Sequence, residues 1–155
     1  MVDLPKKKVG IVSCSGEELP EGTISRLAAL RVLEQERTGD TVTICLPLFL
    51  AGGEGDRAFA RFYPTIAVDG CELRCAARGT EMYSGKPAAS IVVNEQMRGE
   101  DRPSLGSARR LSDAGRDAVE ATAQKIAGLV DELLEKPWSR RAAPSAAPDI
   151  QLGDI

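Results

Sequence analysis

The sequence contains no histidine among its 155 residues, and aromatic residues make up only 4% of it. Without histidine, catalysis by Cys-His or Ser-His pairs is excluded, and so is any zinc site with a histidine ligand. The scarcity of aromatic side chains argues against the stacking platforms that bind single-stranded nucleic acid. A zinc site in this chain would therefore depend on its four cysteines and on carboxylates.

Positive charge and long apolar runs are also scarce. The net charge is −3 and no basic cluster stands out, so we expect no nucleic-acid partner. No stretch approaches the roughly 20 apolar residues of a membrane helix, and the apolar segment after the basic N-terminal run is too short for a secretion signal. We therefore expect no membrane association and a cytoplasmic location, where thiols stay reduced. A homo-oligomer or a protein partner stays open, because no residue pattern identifies one.

The first two thirds of the chain alternate between predicted strands and predicted helices. The strand candidates are β-branched and continuous instead of alternating, which is typical of parallel strands covered on both faces. The helix candidates are rich in Leu, Ala, Glu and Arg or end before a proline or glycine. The predicted strands are 9–12, 42–44, 65–68 and 90–93, the predicted helices are 22–37, 56–62 and 71–83, and 94–111 is predicted to be a loop.

A long amphipathic helix is predicted near the C-terminus. Ser112 is a suitable N-cap, and Pro137 ends the pattern. The apolar positions that carry the periodicity are Val119, Ala123, Ile126, Val130 and Leu133. We predict one α/β domain over residues 1–138, followed by a disordered Ala/Pro-rich tail over residues 139–155.

This element order predicts an α/β fold with a single doubly wound domain of the Rossmann or flavodoxin-like type. Right-handed crossovers place the first strand inside the sheet. We expect a mainly parallel sheet of about four strands in the order 2-1-3-4, with the long C-terminal helix packed against it.

All four cysteines lie at the carboxyl ends of predicted strands or just beyond. Cys14 follows the first strand, Cys45 ends the second, Cys71 follows the third, and Cys75 lies four residues further on. Open α/β sheets bind ligands at this edge, where neighbouring connections diverge. Four thiolates are a natural zinc set, whereas the spacing matches neither common ferredoxin pattern. Plain packing remains the alternative, since free cysteine is often a buried apolar filler.

The segment around Cys71 and Cys75 adds a local hypothesis. If Cys71 opens a helix, both thiols lie on one face, and the helix N-terminus lowers a thiol pKa. Asp69-Gly70 then forms the preceding turn, with Asp69 as a cap or an acceptor close to the site. The alternative function is a thiol-based redox enzyme or sulfur carrier that uses Cys71 and Cys75. An interaction module is a third option, and enzymatic activity stays open.

Residues 66–76, IAVDGCELRCA, closely resemble the central motif of the DGC-domain family, which is named for its Asp-Gly-Cys. The resemblance covers about residues 8–95 and part of the long helix. It implies a zinc-binding domain without assigning a biochemical role. The family motif corresponds to Asp69-Gly70-Cys71, and the implied zinc ligands are Cys14, Cys45, Cys71 and Cys75.

The loop after Cys14 departs from the small polar residues expected there. It carries Glu17, Glu18 and Glu21. Either these carboxylates are solvated or one of them assists a metal.

Overall fold

The computed structural model describes residues 6–99 and 101–140. Within this part of the chain, four strands form one sheet in which every pair of neighbours is parallel. The order is β2-β1-β3-β4, which confirms the predicted α/β class and the predicted strand order. The strands are β1 (Val9–Ser13), β2 (Thr41–Thr43), β3 (Thr65–Asp69) and β4 (Ala89–Val92).

The helices connect these strands and cover both faces of the sheet. The predicted helix at 22–37 begins slightly earlier, with Pro20 in the first position, and its last turn is a π-helix over Val32–Glu36. The helices of the described residues are α1 (Pro20–Arg31), α2 (Leu46–Leu50), α3 (Glu54–Arg57), α4 (Phe59–Phe62), α5 (Cys75–Tyr83), α6 (Val93–Gln96) and α7 (Asp113–Glu135).

The long helix α7 forms where the sequence predicts it. Its N-cap is Ser112, whose Oγ accepts a hydrogen bond from the backbone N–H of Gly115 at 3.1 Å. The helix ends at Glu135, just before Pro137. Its apolar stripe is buried against α1 and the sheet, with Ile126 and Val130 fully inaccessible to solvent.

The sheet buries both of its faces. On one face, Ile11 of β1 and Ile66 of β3 pack in a cluster with α1 and α7. On the other face, Val12 and Ala67 pack in a second cluster with residues of α2, α4 and α5, including Phe49. Neighbouring residues of a strand point to opposite faces, so burial on both sides explains why the strands read as continuous apolar runs.

The main difference from the prediction concerns the segment 71–83. The helix does not begin at Cys71 but at Cys75, and Arg74 before it has a φ of 53°. This left-handed backbone conformation interrupts a right-handed helix, so residues 71–74 form a turn. The predicted same-face i, i+4 helical pairing of Cys71 and Cys75 is therefore wrong.

Three smaller differences lie elsewhere. Helix α2 was not predicted, because its five-residue apolar segment is too short to show a helical period. The predicted helix at 56–62 is divided between α3 and α4. The predicted loop at 94–111 overlaps the short helix α6 and contains an antiparallel bridge between Gly106 and Leu111.

The domain prediction extends beyond the described part of the chain. Residues 139–140 lack regular secondary structure, and the rest of the predicted tail lies outside the described residues. The domain boundary at residue 138 therefore stays a prediction. Each helix in the described ranges is too short or too polar to cross a membrane.

Candidate functional site

The cleft between β1 and β3 is the point where the connections of the sheet diverge. Helix α1, which follows β1, packs on the face that α7 covers. Helix α5, which follows β3, contributes Ala76 and Ala77 to the cluster on the opposite face. The two loops at the carboxyl ends of β1 and β3 therefore separate and leave a crevice, the place where such sheets bind ligands.

Three of the four cysteines line one pocket in this crevice. Cys14 follows β1 directly, Cys71 lies two residues after β3, and Cys75 is the first residue of α5. The pocket has a volume of about 470 Å³ and is also lined by Asp69 and Gly70. The convergence expected for strand-end thiols thus holds for three positions.

Cys45 lies apart from the other three cysteines. It is exposed, follows β2 by two residues and precedes the first turn of α2, and it does not line the thiol pocket. In the described part of the chain, no group of three or more His, Cys, Asp or Glu side chains is already arranged to hold a metal ion. The donor chemistry of the pocket fits a soft metal, but its thiols would have to rotate toward a common ion.

Cys14 is held by both its backbone and its side chain. Its backbone N–H donates to the carbonyl of Val68 at 3.0 Å, which extends the pairing of β1 with β3 by one residue, to Cys14. Its sulfur lies 3.1 Å from the Oγ of Ser25, and that buried hydroxyl donates to the carbonyl of Gly22 at 2.7 Å. Because the single hydroxyl proton is used there, the thiol of Cys14 donates to Ser25.

Asp69 connects the third strand to the start of α5. Its side chain is fully buried, and its two carboxylate oxygens accept hydrogen bonds from the N–H groups of Ala76 at 2.7 Å and Ala77 at 3.0 Å. Burial raises the pKa of Asp69, while these two hydrogen bonds and the charge of Arg74 oppose that rise. Asp69 therefore caps α5 and places a carboxyl group beside the thiols.

The thiol of Cys75 does not have the low pKa that a helix N-terminus predicts. Cys75 is an exposed residue, yet the part of its side chain that is withdrawn from solvent raises its pKa, and the neighbouring Asp69, Cys71 and Cys14 raise it further. The cap adds to these causes, because Asp69 already takes two of the N–H groups that would stabilise a thiolate at this helix start. The predicted lowering of the thiol pKa is therefore wrong for Cys75.

The chain matches a known protein family over most of its length. The family model of the DGC domain matches residues 10–126, well over half of the chain. The chain belongs to the DGC family. The matched range begins in β1, ends within α7 and includes all four cysteines. No curated protein and no solved structure matches the chain.

In this DGC domain, two of the three acidic residues after Cys14 lie close to arginines. Glu21 is bonded to Arg102, whose guanidinium also donates to the Oδ1 of Asn94 at 2.6 Å. Asn94 in turn donates to Glu72 at 3.1 Å, so this chain of contacts reaches the Cys71 loop. Glu17 lies 4.0 Å from Arg109 and is exposed. Glu21 is therefore held in an ion pair, whereas the exposed Glu17 and Glu18 line the thiol pocket, and assistance to a metal by one of these carboxylates stays a prediction.

Sequence reasoning missed two groups of residues around the pocket of the DGC domain. The first is Gly16 and Gly22, which pack so closely that a Cβ on Gly22 would lie 2.8 Å from the Cα of Gly16. The second is a set of apolar side chains that line the pocket. These are Leu19, Leu46, Pro47, Leu50 and Leu73. The apolar segment that forms α2 could have indicated part of this set. The sequence around that segment, however, does not show that it lies beside the cysteines.

Proposed function

We propose that this protein binds a zinc ion through the thiolates of Cys14, Cys71 and Cys75. The observation that carries the proposal is that these three thiols line a single pocket at the switch point of the sheet. Thiolates are preferred zinc ligands, and the absence of histidine leaves sulfur and carboxylate as the donors. The resemblance to DGC-domain proteins likewise implies zinc binding, through these three cysteines and Cys45.

The charges around the pocket support a cation. Asp69 is buried beside the thiols, and the acidic neighbours of Cys75 disfavour its ionisation in the metal-free protein. A divalent cation would offset the repulsion among these groups when the thiols lose their protons. The acidic groups around the pocket are therefore suited to a cation.

We assign three ligands and not the four that the resemblance implies, because Cys45 lies outside the pocket. A closed site of four cysteines has no position for a further ligand. A site with three protein ligands has one, which is the arrangement of catalytic zinc centres. Cys45 then serves as the natural control, since it is a free cysteine of the same domain.

Elemental analysis of protein purified under reducing conditions tests the proposal. We expect about one equivalent of zinc in the wild type and less than about half in Cys14→Ser, Cys71→Ser and Cys75→Ser, because each removes a ligand. Cys45→Ser should keep the wild-type content. A metal-free wild type, or equal loss in Cys45→Ser and Cys71→Ser, would contradict the assignment.

The thiol-redox or sulfur-carrier alternative is supported by the presence of Cys71 and Cys75 in the same pocket. It requires one thiol with a depressed pKa, which attacks before the others. The raised pKa of Cys75 argues against that thiol as the nucleophile.

We further infer a cytoplasmic location, because four free cysteines suit a reducing compartment.

A further inference from the structure

A second pocket lies beside the thiol pocket and has a mostly polar lining. Its volume is about 530 Å³, and Ser15, Gly16 and Glu17 border both pockets. Among the described residues that line it, none is a cysteine, so the proposed zinc site does not use this space. The other lining residues come from α1 and from the segment before α7, and they are Thr23, Arg26, Leu27, Ala108 and Arg109.

Thr23 joins the two walls of this second pocket. Its hydroxyl group, on a buried residue, contacts the carbonyl of Ala108 and lies 3.2 Å from the carbonyl of Gly16. Residues 107–110 form a tight turn, in which two backbone hydrogen bonds of 2.9 and 3.2 Å join the first residue to the last. The turn therefore holds Arg109 close to α1, and the cavity is built on fixed backbone.

The second pocket contains two guanidinium groups without a close carboxylate. Arg26 makes no side-chain hydrogen bond or ion pair with the described residues. Arg109 lies 4.0 Å from Glu17, and because their side chains are 78% and 74% exposed, this pair is weak. By contrast, Arg31 and Arg37 each contact a carboxylate of α7 at 2.8 Å. Positive charge is thus available for a ligand at the second pocket.

The charges of the lining indicate the class of ligand. Glu17 is the single acid among the described residues that line this pocket, so two guanidinium groups leave an excess of one positive charge. A ligand with one negative charge would neutralise this excess, whereas a phosphate dianion would exceed it. The planar fork of a guanidinium group also matches the two oxygens of a carboxylate. A volume of about 530 Å³ is that of a small-molecule pocket.

We propose that the second pocket binds the anion of a small polar carboxylic acid, whose carboxylate is held by Arg26 and Arg109. Glu17 competes for Arg109 and gives way when the ligand binds. Hydroxyl groups on the ligand suit the polar side chains of Ser15 and Thr23 in the lining. Binding is non-covalent and needs no metal, so this site is independent of the proposed zinc centre.

Isothermal titration calorimetry of the full chain with lactate tests the proposal. Lactate has one carboxylate and one hydroxyl group, and lactamide is its uncharged counterpart. At constant ionic strength we expect lactamide to bind at least about tenfold more weakly, because it brings no charge to the guanidinium groups. Inorganic phosphate, kept mainly dianionic at about pH 8, should also bind more weakly than lactate, since its second charge is not balanced.

Other arginines of the chain provide matched controls. Arg26→Gln and Arg109→Gln should each weaken lactate binding about tenfold, since each removes a charge-assisted hydrogen bond. Arg110 follows in the same turn and Arg78 is exposed on α5, but neither lines the second pocket. Arg110→Gln and Arg78→Gln should therefore bind lactate as the wild type does. Glu17→Gln should strengthen binding by up to about fivefold, because the competing carboxylate is removed.

The proposal is overturned if lactate does not bind, or binds no better than lactamide. Equal affinities of Arg109→Gln and Arg110→Gln would show that lactate binds elsewhere. Tighter binding of phosphate than of lactate, lost in Arg26→Gln, would reject the carboxylate in favour of a phosphate ligand. Zinc content of the same samples is a separate readout, so failure of the zinc proposal and failure of the carboxylate site are distinguishable.

Discussion

The backbones of Gly22 and Gly70 are in direct contact, since a Cβ atom on Gly70 would lie 2.4 Å from the amide nitrogen of Gly22. Gly22 belongs to the first turn of α1, just after the Cys14 loop, and Gly70 directly precedes Cys71. Because neither residue has a side chain, the two loops approach closely enough for their thiols to line one pocket. The glycine of the Asp-Gly-Cys motif is thus explained by packing.

Replacement of Gly70 by alanine should destabilise the protein. The added methyl group would overlap the backbone of α1, and overpacking of this kind costs about 1–3 kcal/mol. Urea denaturation measures the loss. The control is Gly128→Ala on α7, where nothing lies within 4 Å of the added Cβ and helix propensity predicts a gain of up to about 1 kcal/mol. Equal stability of the two variants would show that the contact is not tight.

Asp69→Asn should also reduce stability. The carboxylate accepts from two N–H groups, whereas an asparagine amide offers one acceptor and turns an N–H₂ toward the other donor. We expect a loss of about 1–3 kcal/mol in chemical denaturation, the cost of an unsatisfied buried donor. Asp117→Asn, which changes an exposed carboxylate on α7, should stay within about 0.5 kcal/mol of the wild type. A loss as small in Asp69→Asn would mean that relief from burying a charge outweighs the lost cap.

Alkylation of Cys75 should show the raised pKa of its thiol. In metal-free protein, we expect its alkylation rate, followed by mass spectrometry, to rise with pH to a midpoint above that of the same cysteine in urea-unfolded protein. Zinc should protect it. Since the folded state holds this proton more tightly, the metal-free fold should lose stability as pH rises beyond the unfolded thiol pKa. A midpoint below that of the unfolded chain would favour the thiol-enzyme alternative.

The cap of the long helix offers a test away from the site. The Oγ of Ser112 accepts from Gly115 and donates to the carbonyl of Ser104 at 2.7 Å. Ser112→Ala should cost about 1 kcal/mol in thermal or urea unfolding. Ser112→Asp, which restores an acceptor at the N-cap, should recover most of that loss. If both substitutions destabilise equally, the bond to Ser104 matters more than the cap.

Local patterns in the sequence were sufficient for the secondary structure that forms the sheet. Continuous β-branched runs predicted all four strands, because strands buried on both faces need apolar side chains at every position. The apolar residues from Val119 to Leu133, spaced three and four apart, predicted α7, because a helix that buries one face needs apolar side chains at that interval. The element order then limited the topology to few choices, and the order 2-1-3-4 was confirmed.

The site was only partly predictable. Because Cys14, Cys71 and Cys75 lie at or after strand ends, the sequence predicted that they come close together, and they line one pocket. The same reasoning placed Cys45 with them, although Cys45 does not line that pocket. The unpredicted helix α2 begins directly after Cys45. The start of α5 was likewise misjudged, because a left-handed residue such as Arg74 leaves no reliable local signal.

By itself, the sequence determined the α/β class, the parallel strand order and the grouping of thiols at one edge of the sheet, since hydrophobic periodicity and chain order are local properties. Only the tertiary structure decided the contact of Gly22 with Gly70, the cap that Asp69 provides, the raised pKa of Cys75 and the leucines beside the thiols. Each of these depends on loops and helix starts, whose conformations follow from contacts with neighbours that a local pattern does not record.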